Sequence, residues 1–221
     1  PGEPELITVK GLRQLQKADI IYCPATHNRQ RETISRAADI VRALEINETA
    51  IRCFILPMSK DRTEAWKVYD TLYNEAATQY VEGKQIVIVA EGDAGFYSSI
   101  QYIYDKFTDA GIAVQRIAGI PAFIAAGALA GLHIVKQEEQ IVVIPGTPSA
   151  AELSEKINAG YVIVIMKLSQ CADAVHECIR KHPQTQFHYF ENVGTEKEYY
   201  TSDRKVIADK AYPYFSLMII Q

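Results

Sequence analysis

At 221 residues the chain is long for one compact domain and short for two of average size, so it holds one large or two small domains, with a sizeable core either way. With 48% hydrophobic and 23% charged residues and no low-complexity tract, it is not the kind of chain that stays disordered. A net charge of −4, with basic residues scattered along the sequence, argues against a broad phosphate-binding surface, so a small-molecule ligand is expected and nucleic acid is not. The densest basic cluster, Arg29, Arg31 and Arg36, is interrupted by polar and acidic groups and reads as a solvated helix face. Cys23, Cys53, Cys171 and Cys178 show no CxxC spacing and read as packed thiols in a reducing, cytoplasmic setting, without a zinc site or a disulfide framework. The most apolar stretch, "GIPAFIAAGALAGLHIV", is too short and too interrupted by Pro and Gly to cross a bilayer, so no membrane partner is expected, and no signal peptide is apparent.

Taken in chain order, Leu12–Ala18 has a helical pattern with Thr8 as a candidate cap, and "DIIYCP" follows as a short buried strand expected to end at Pro24. In "TISRAADIVRALEI" the apolar residues Ile34, Ala37, Ala38, Val41 and Leu44 form a helical stripe, and "AIRCFILP" is the next strand. "RTEAWKVYDTLYNEAATQYVEGK" is a long amphipathic helix capped by Thr63 and closed by Gly83. "QIVIVA" is a strand, "SSIQYIYDKFTDAG" a helix ending at Gly111, and "IAVQRIAG" a further strand. This βα alternation implies a largely parallel sheet. Past Gly119 the character changes. A small-residue helix, "PAFIAAGALAGL", is followed by five strand-like runs, "QIVVIPG", "YVIVIMKL", "QFHYFENV", "EYYTSD" and "YFSLMIIQ", with only two clear helices, near "SAAELSEKI" and "SQCADAVHECIRKH". The expectation is two α/β domains, 1–118 with a mostly parallel sheet and 119–221 with a mixed sheet, and a ligand cleft between them.

Two segments carry the chemistry: "PGEPELITVKGLRQLQKADIIYCP" at the start and "AEGDAGFYSS" after the third strand-like run, each a backbone-rich loop where a strand gives way to a helix. The first, through Pro1, Gly2, Glu3, Pro4, Glu5, Leu6, Ile7 and Thr8 and then Lys10, Arg13, Leu15, Ala18 and Asp19, resembles the opening of the tetrapyrrole methylases. Glu3 stands where that family usually has Asp, and the sequence opens on the loop itself, where the family has an apolar strand leading in. The second resembles the family's Gly-Asp-Pro turn in Gly92, Asp93 and Ala94, with Tyr97 three residues on. Three more segments match in order: "AGIPAFIAAGALAG", which places a cofactor-contact pair at Pro121 and Ala122; "VIVIMKL", with Met166 beside an adenosyl group; and "YFENVGTEKEYYTS", with Gly194 in contact. If the closing strand matches as well, the backbone around Tyr214, Phe215 and Ser216 flanks the adenine.

The resemblance implies the two-domain fold of that family and S-adenosylmethionine held between the domains by main-chain groups, with no metal and an acidic tetrapyrrole as the partner molecule. It also implies a homodimer. "EGDxxFYSS", "MK" at Met166-Lys167 and "PYFSLMII" look most like the members that methylate carbon 20 of precorrin-2 or its cobalt analogue, although "MK" continues here as Leu168, Ser169, Gln170 and not as the usual Gly-Arg. The nucleophile would be the macrocycle's own meso carbon. That fits the lack of a Ser-His-Asp or Cys-His constellation, and makes His133, His176, His182 and His188 structural or exposed, with His27 the one to watch. Glu91, Asp93, Tyr97 and Glu191 are the candidates to take the meso proton, and Lys10, Arg13 and Lys167 to meet substrate carboxylates. The competing expectations are another corrin carbon or a different acceptor, such as a protein side chain or ribosomal RNA, and a non-catalytic ligand-binding regulator.

Overall fold

The computed structural model describes residues 1–27, 30–57 and 63–221, so Arg29 lies outside the described residues. By their contacts these residues form two units, Gly2–Ile120 and Pro121–Gln221, with Pro1 grouped with the second.

In the first unit a 3-10 turn at Pro4–Leu6 leads into α1 (Val9–Lys17), where the Thr8 hydroxyl accepts from the Gly11 amide at 3.1 Å. Strand β1 (Ile20–His27) is the centre of the sheet, with β3 (Ile51–Ile55) and β4 (Ile86–Ile88) parallel to it and the short β2 (Thr33–Ile34) antiparallel at its far end. Side chains alternate faces along β1. Ile20 and Tyr22 pack with Tyr69, Leu72 and Ala76 of α3 (Thr63–Val81) and with Ile103 and Phe107 of α4 (Gln101–Asp109). Ile21 and Cys23 pack on the opposite face against Leu15 of α1 and Ala37, Ala38 and Val41 of α2 (Arg36–Ala43).

Several expectations need correction. Pro24 does not end β1; it pairs with Phe54 inside the strand. The Tyr22 carbonyl, two residues earlier, accepts from Val89 on the β4 side, and β4 ends before reaching Pro24, so the missing Pro N–H interrupts no ladder. Ile34 is an exposed strand residue, not part of the helical stripe, because Ser35 caps α2 by accepting from the Ala38 amide at 3.0 Å. "IAVQRIAG" forms no strand among the described residues: the only strand paired with β4 is β1. Cys53 is exposed, not packed, while burial raises the Cys23 thiol beside it in register to about 12.

The second unit opens with α5 (Ala122–Leu129), where a β-carbon on Gly127 would come within 2.6 Å of Ile134, so the small residue permits the close packing expected of this helix. Its sheet runs β5 (Ile141–Ile144), β6 (Val162–Met166), β9 (Ser216–Ile220), β7 (Phe187–Glu191), β8 (Tyr199–Thr201), parallel only between β5 and β6. All five strand-like runs are therefore strands. On one face Ile163, Ile165, Phe187, Tyr189, Met218 and Ile220 pack with α6 (Ala150–Asn158), α7 (Ala172–Lys181) and the short α8 (Arg204–Ala208), which sequence patterning missed. The Arg204 guanidinium donates to the carbonyls of Thr185, Ile179 and His182 and closes the carboxyl end of α7. Among the described residues no helix is long and apolar enough to cross a membrane.

Candidate functional site

In the first unit the opening segment and the Gly-Asp turn meet on the stretch before Ile120. The Thr8 hydroxyl donates to the Ala118 carbonyl at 3.4 Å. Asp93 accepts the Gly95 amide on Oδ1 and the Gly119 amide on Oδ2, both at 2.7 Å, so its carboxylate closes its own turn and clasps that turn to the segment beside it. The approach is so close that a β-carbon on Gly119 would lie 2.1 Å from the Gly92 carbonyl oxygen. Gly92 has φ +78, and Tyr97, an exposed residue, adopts φ +50, a conformation a bulky residue rarely takes. Such departures cluster where a turn serves a ligand. Ala94 is half-buried between them.

Among the carboxylates proposed as bases, Asp93 is thus committed to main-chain amides. Glu91 is exposed overall, yet desolvation of its carboxyl raises its pKa, and the positive charge of Arg36 reverses only part of that rise. Arg116 was missed in the sequence. Its guanidinium lies 4.2 Å from the Tyr104 ring centre, and its side chain flanks Gly95 so closely that a β-carbon there would sit 3.1 Å from Nη1. A basic residue in an otherwise apolar run was the available signal.

In the second unit strand pairing gathers five of the expected residues at one end of the sheet. Met166 at the end of β6 is opposite Leu217, and Glu191 at the end of β7 is opposite Ser216. The antiparallel β9 begins where β6 and β7 finish, so Phe215, Ser216, Met166 and the turn carrying Gly194 share that edge. The Asn192 amide donates to the Phe215 carbonyl at 2.9 Å, Asn192 itself has φ +49, and Gly194 has φ +79. The Gly194 amide is taken by Glu198 at 3.0 Å and the Ser216 hydroxyl donates to the Pro213 carbonyl at 2.6 Å. Pro121 sits at the cap position of α5, with no side-chain cap bond, directly before Ala122.

Glu191 is engaged on a single oxygen. Its Oε1 accepts from the Tyr189 hydroxyl at 2.6 Å and is 2.9 Å from the Lys210 ammonium, which also lies over the Tyr199 ring. Burial, then the bond to Glu191, push the Tyr189 phenol up, so it stays a donor. Lys210, like Gly146, lies outside the motifs that marked the site. The loop after β5 presses Gly146, at φ +91, against the end of β6, where a β-carbon would fall 2.5 Å from the Met166 carbonyl oxygen and 2.6 Å from that of Lys167. The Pro-Gly pair after an apolar strand was a legible sign of this turn.

Of the histidines, His188 is buried and bonded to the Tyr200 hydroxyl at 3.0 Å, His182 bonds Ser154 at 2.9 Å, and His176 packs on the Tyr212 ring. His27 is exposed at the end of β1. Among the described residues no three His, Cys, Asp or Glu side chains are grouped as metal ligands are.

The residues fit a ligand held by main chain more than by reactive side chains. Left-handed backbone turns peptide groups out of the regular ladders at Gly92, Tyr97 and Gly194, where cofactor contacts are expected, and at Lys167 and Asn192, which follow Met166 and precede Gly194.

Residues 1–204 match the family described as Tetrapyrrole (Corrin/Porphyrin) Methylases. The chain is 25% identical to a precorrin-2 C(20)-methyltransferase of Sinorhizobium sp, covering 100% of this chain and 91% of the relative. It is 29% identical to a cobalt-precorrin-2 C(20)-methyltransferase of Salmonella typhimurium, covering 76% and 69%. Among solved structures the fold is similar to a cobalt precorrin-4 methyltransferase, with TM-score 0.73 and 17% identity over 99% of this chain and 90% of that one. It is also similar to a uroporphyrin-III C-methyltransferase of Thermus thermophilus complexed with S-adenyl homocysteine, with TM-score 0.65 and 15% identity over 100% and 93%.

Proposed function

The chain belongs to the tetrapyrrole methylases, and from that premise we propose that it transfers a methyl group from S-adenosylmethionine to carbon 20 of precorrin-2 or cobalt-factor II in cobalamin biosynthesis. The observation that carries this proposal is that the expected donor contacts of each unit gather at turns and at the ends of elements: Gly92, Asp93, Ala94 and Tyr97 after β4 in the first, and in the second Met166, Gly194, Phe215 and Ser216 at one end of the sheet, with Pro121 and Ala122 opening α5. Similarity to a carbon-20 enzyme over the full length of the chain, and to a second over 76% of it, supports the choice of acceptor.

S-adenosylmethionine supplies an electrophilic methyl on sulfur. The protein's task is to line that carbon up with the nucleophile, and positioning alone is worth up to ~7–11 kcal/mol of the barrier. Asp93 performs part of it indirectly, by fixing the turn at Gly92 through two amide bonds. Glu191, held by Lys210 and Tyr189, fixes the strand end that leads to Gly194. With those two carboxylates so engaged, Glu91, whose proton affinity is raised, is the proposed acceptor of the carbon-20 proton. Pro1 and Gly2 complete the proposed donor site through the opening loop, and the protein is proposed to act in the cytoplasm as a homodimer, on the strength of family resemblance.

The test is incubation with S-adenosylmethionine and each tetrapyrrole, with the product located by NMR. A new methyl on carbon 20 is expected. A methyl on another ring carbon would refute the acceptor assignment, and calorimetry showing no binding of S-adenosylhomocysteine would refute the methyltransferase itself. Sedimentation at working concentration checks the dimer.

A further inference from the structure

Lys167 follows the Met166–Leu217 rung directly, at the edge where Phe215, Ser216 and Gly194 gather. Three properties meet in it. Its backbone is left-handed, φ +58 and ψ +47, a conformation that presses an L residue's β-carbon against the next carbonyl and that Gly or Asn usually fills. That conformation is locked: the Gly146 loop lies against the Met166 and Lys167 carbonyls, and the Gln170 amide donates to the Lys167 carbonyl at 3.1 Å. Finally, its half-buried side chain has no carboxylate partner among the described residues, whereas Lys210 at the same end of the sheet is paired with Glu191.

A fold that needed only a tight turn here would be served better by Gly, which takes φ +58 without strain. A long cationic side chain kept at a strained position, with no carboxylate beside it among the described residues, is what a site that receives an anionic ligand would retain. We propose that Lys167 is the anchor for a carboxylate of the bound reactants, presented by its left-handed turn toward the end of the sheet where the methyl donor is held. The inference rests on the methyl-transfer proposal for what the reactants are. Two reactants carry the chemistry: the acidic side chains of the tetrapyrrole and the amino-acid end of the donor.

The experiment compares wild-type protein with Lys167→Gly, Lys167→Asn and Lys167→Arg. Gly and Asn both tolerate the left-handed backbone, so folded protein is secured by at least one of them, and melting temperatures at or above wild type are expected. Cobalt-factor II binding, followed by its visible absorbance, and S-adenosylhomocysteine binding, followed by calorimetry, are measured without turnover. Loss of one charge-assisted contact should weaken the binding of one of them about 10- to 100-fold, with recovery in the Arg variant. Weakened tetrapyrrole binding with unchanged S-adenosylhomocysteine binding identifies the macrocycle as the source of the carboxylate. The reverse identifies the donor. Variants at least as stable as wild type that bind both molecules equally well would overturn the assignment, leaving Lys167 without a binding role. A wild-type protein that binds the macrocycle and transfers no methyl group would refute the reaction and leave this comparison intact; one that binds neither molecule would refute both.

Discussion

Substituting Gly119 by Ala tests whether the clasp between the Gly92–Asp93 turn and its neighbouring segment is as tight as it looks. The added β-carbon would begin 2.1 Å from the Gly92 carbonyl oxygen, 3.0 Å from its carbon and 3.2 Å from the Asp93 α-carbon, all main-chain atoms that no rotamer change can move. At least 0.9 Å must open before the shortest contact reaches even 3.0 Å. An opening of that size along the Gly119 amide stretches its 2.7 Å bond to Asp93 to about 3.6 Å, beyond hydrogen-bonding range. Overpacking costs about 1–3 kcal/mol, and a hydrogen bond to a charged group about 1.5–3 kcal/mol. The expected loss is roughly 3–5 kcal/mol, which for a chain of this length lowers the melting temperature by roughly 6–20 °C. Gly111→Ala is the control, because its positive φ brings strain of only about 1–2 kcal/mol and nothing lies within 4 Å of the new carbon. Thermal unfolding followed by circular dichroism, with calorimetry of S-adenosylhomocysteine binding, should show Gly119→Ala the less stable of the two and weakened in binding. A Gly119→Ala protein that melts no lower than Gly111→Ala, with wild-type affinity, would refute the steric reasoning and with it the clasp.

Other perturbations read other parts of the fold. Gly146→Ala combines φ +91 with a 2.5 Å approach to the Met166 carbonyl oxygen, so it should lower the melting temperature more than Gly111→Ala does. Ser149 and Glu152 form a reciprocal capping box at the start of α6, and Ser149→Ala should cost about 1 kcal/mol in a denaturant titration while methyl transfer stays at the wild-type rate. Tyr22 is buried with its hydroxyl bonded to Glu75 at 2.9 Å, and burial followed by that bond raises its phenol from 10.0 to about 12. Because the folded-state value is the higher one, this contribution to stability is complete below pH 10 and is lost as the pH rises toward 12, where the unfolded chain ionises first. Unfolding free energy measured across that window should fall less steeply in Tyr22→Phe; an unchanged slope would show that Tyr22 ionises as freely in the folded protein as in the unfolded chain.

Local patterns revealed the elements whose burial repeats with a regular period. The predominantly apolar "YVIVIMKL" and "YFSLMIIQ" mark β6 and β9, and the Thr8 and Gly83 signals mark real helix ends, with Gly83 at φ +85. What sequence could not supply depended on neighbours in space. Pro24 looks like a stop until one sees that the strand on its N–H side has already ended. "IAVQRIAG" has the composition of a strand, but a strand exists only if something pairs with it. Ile34 keeps the helical period with Val41, yet the Ser35 cap starts the helix after it. In the site, the turns were visible as Gly-Asp and Glu-Asn-Val-Gly strings, whereas the commitment of Asp93 to the Gly119 amide spans 26 residues and that of Glu191 to Lys210 spans 19 residues. Pairings at that distance leave no periodic trace.

The placement of β9 bears on how the polypeptide matures. Its five residues are all buried and sit between β6 and β7, yet of all the strands in that sheet it is the last to leave the ribosome. Until it emerges, β5 and β6 on one side and β7 and β8 on the other have no common partner, and two apolar edges stay open to wrong pairings. The Gly2–Ile120 half, whose strands all lie early in the sequence, can assemble while synthesis continues. The later half must wait, so a nascent chain stalled before Ser216 should be a substrate for chaperones or proteases: what it lacks is the middle of a sheet, not its border.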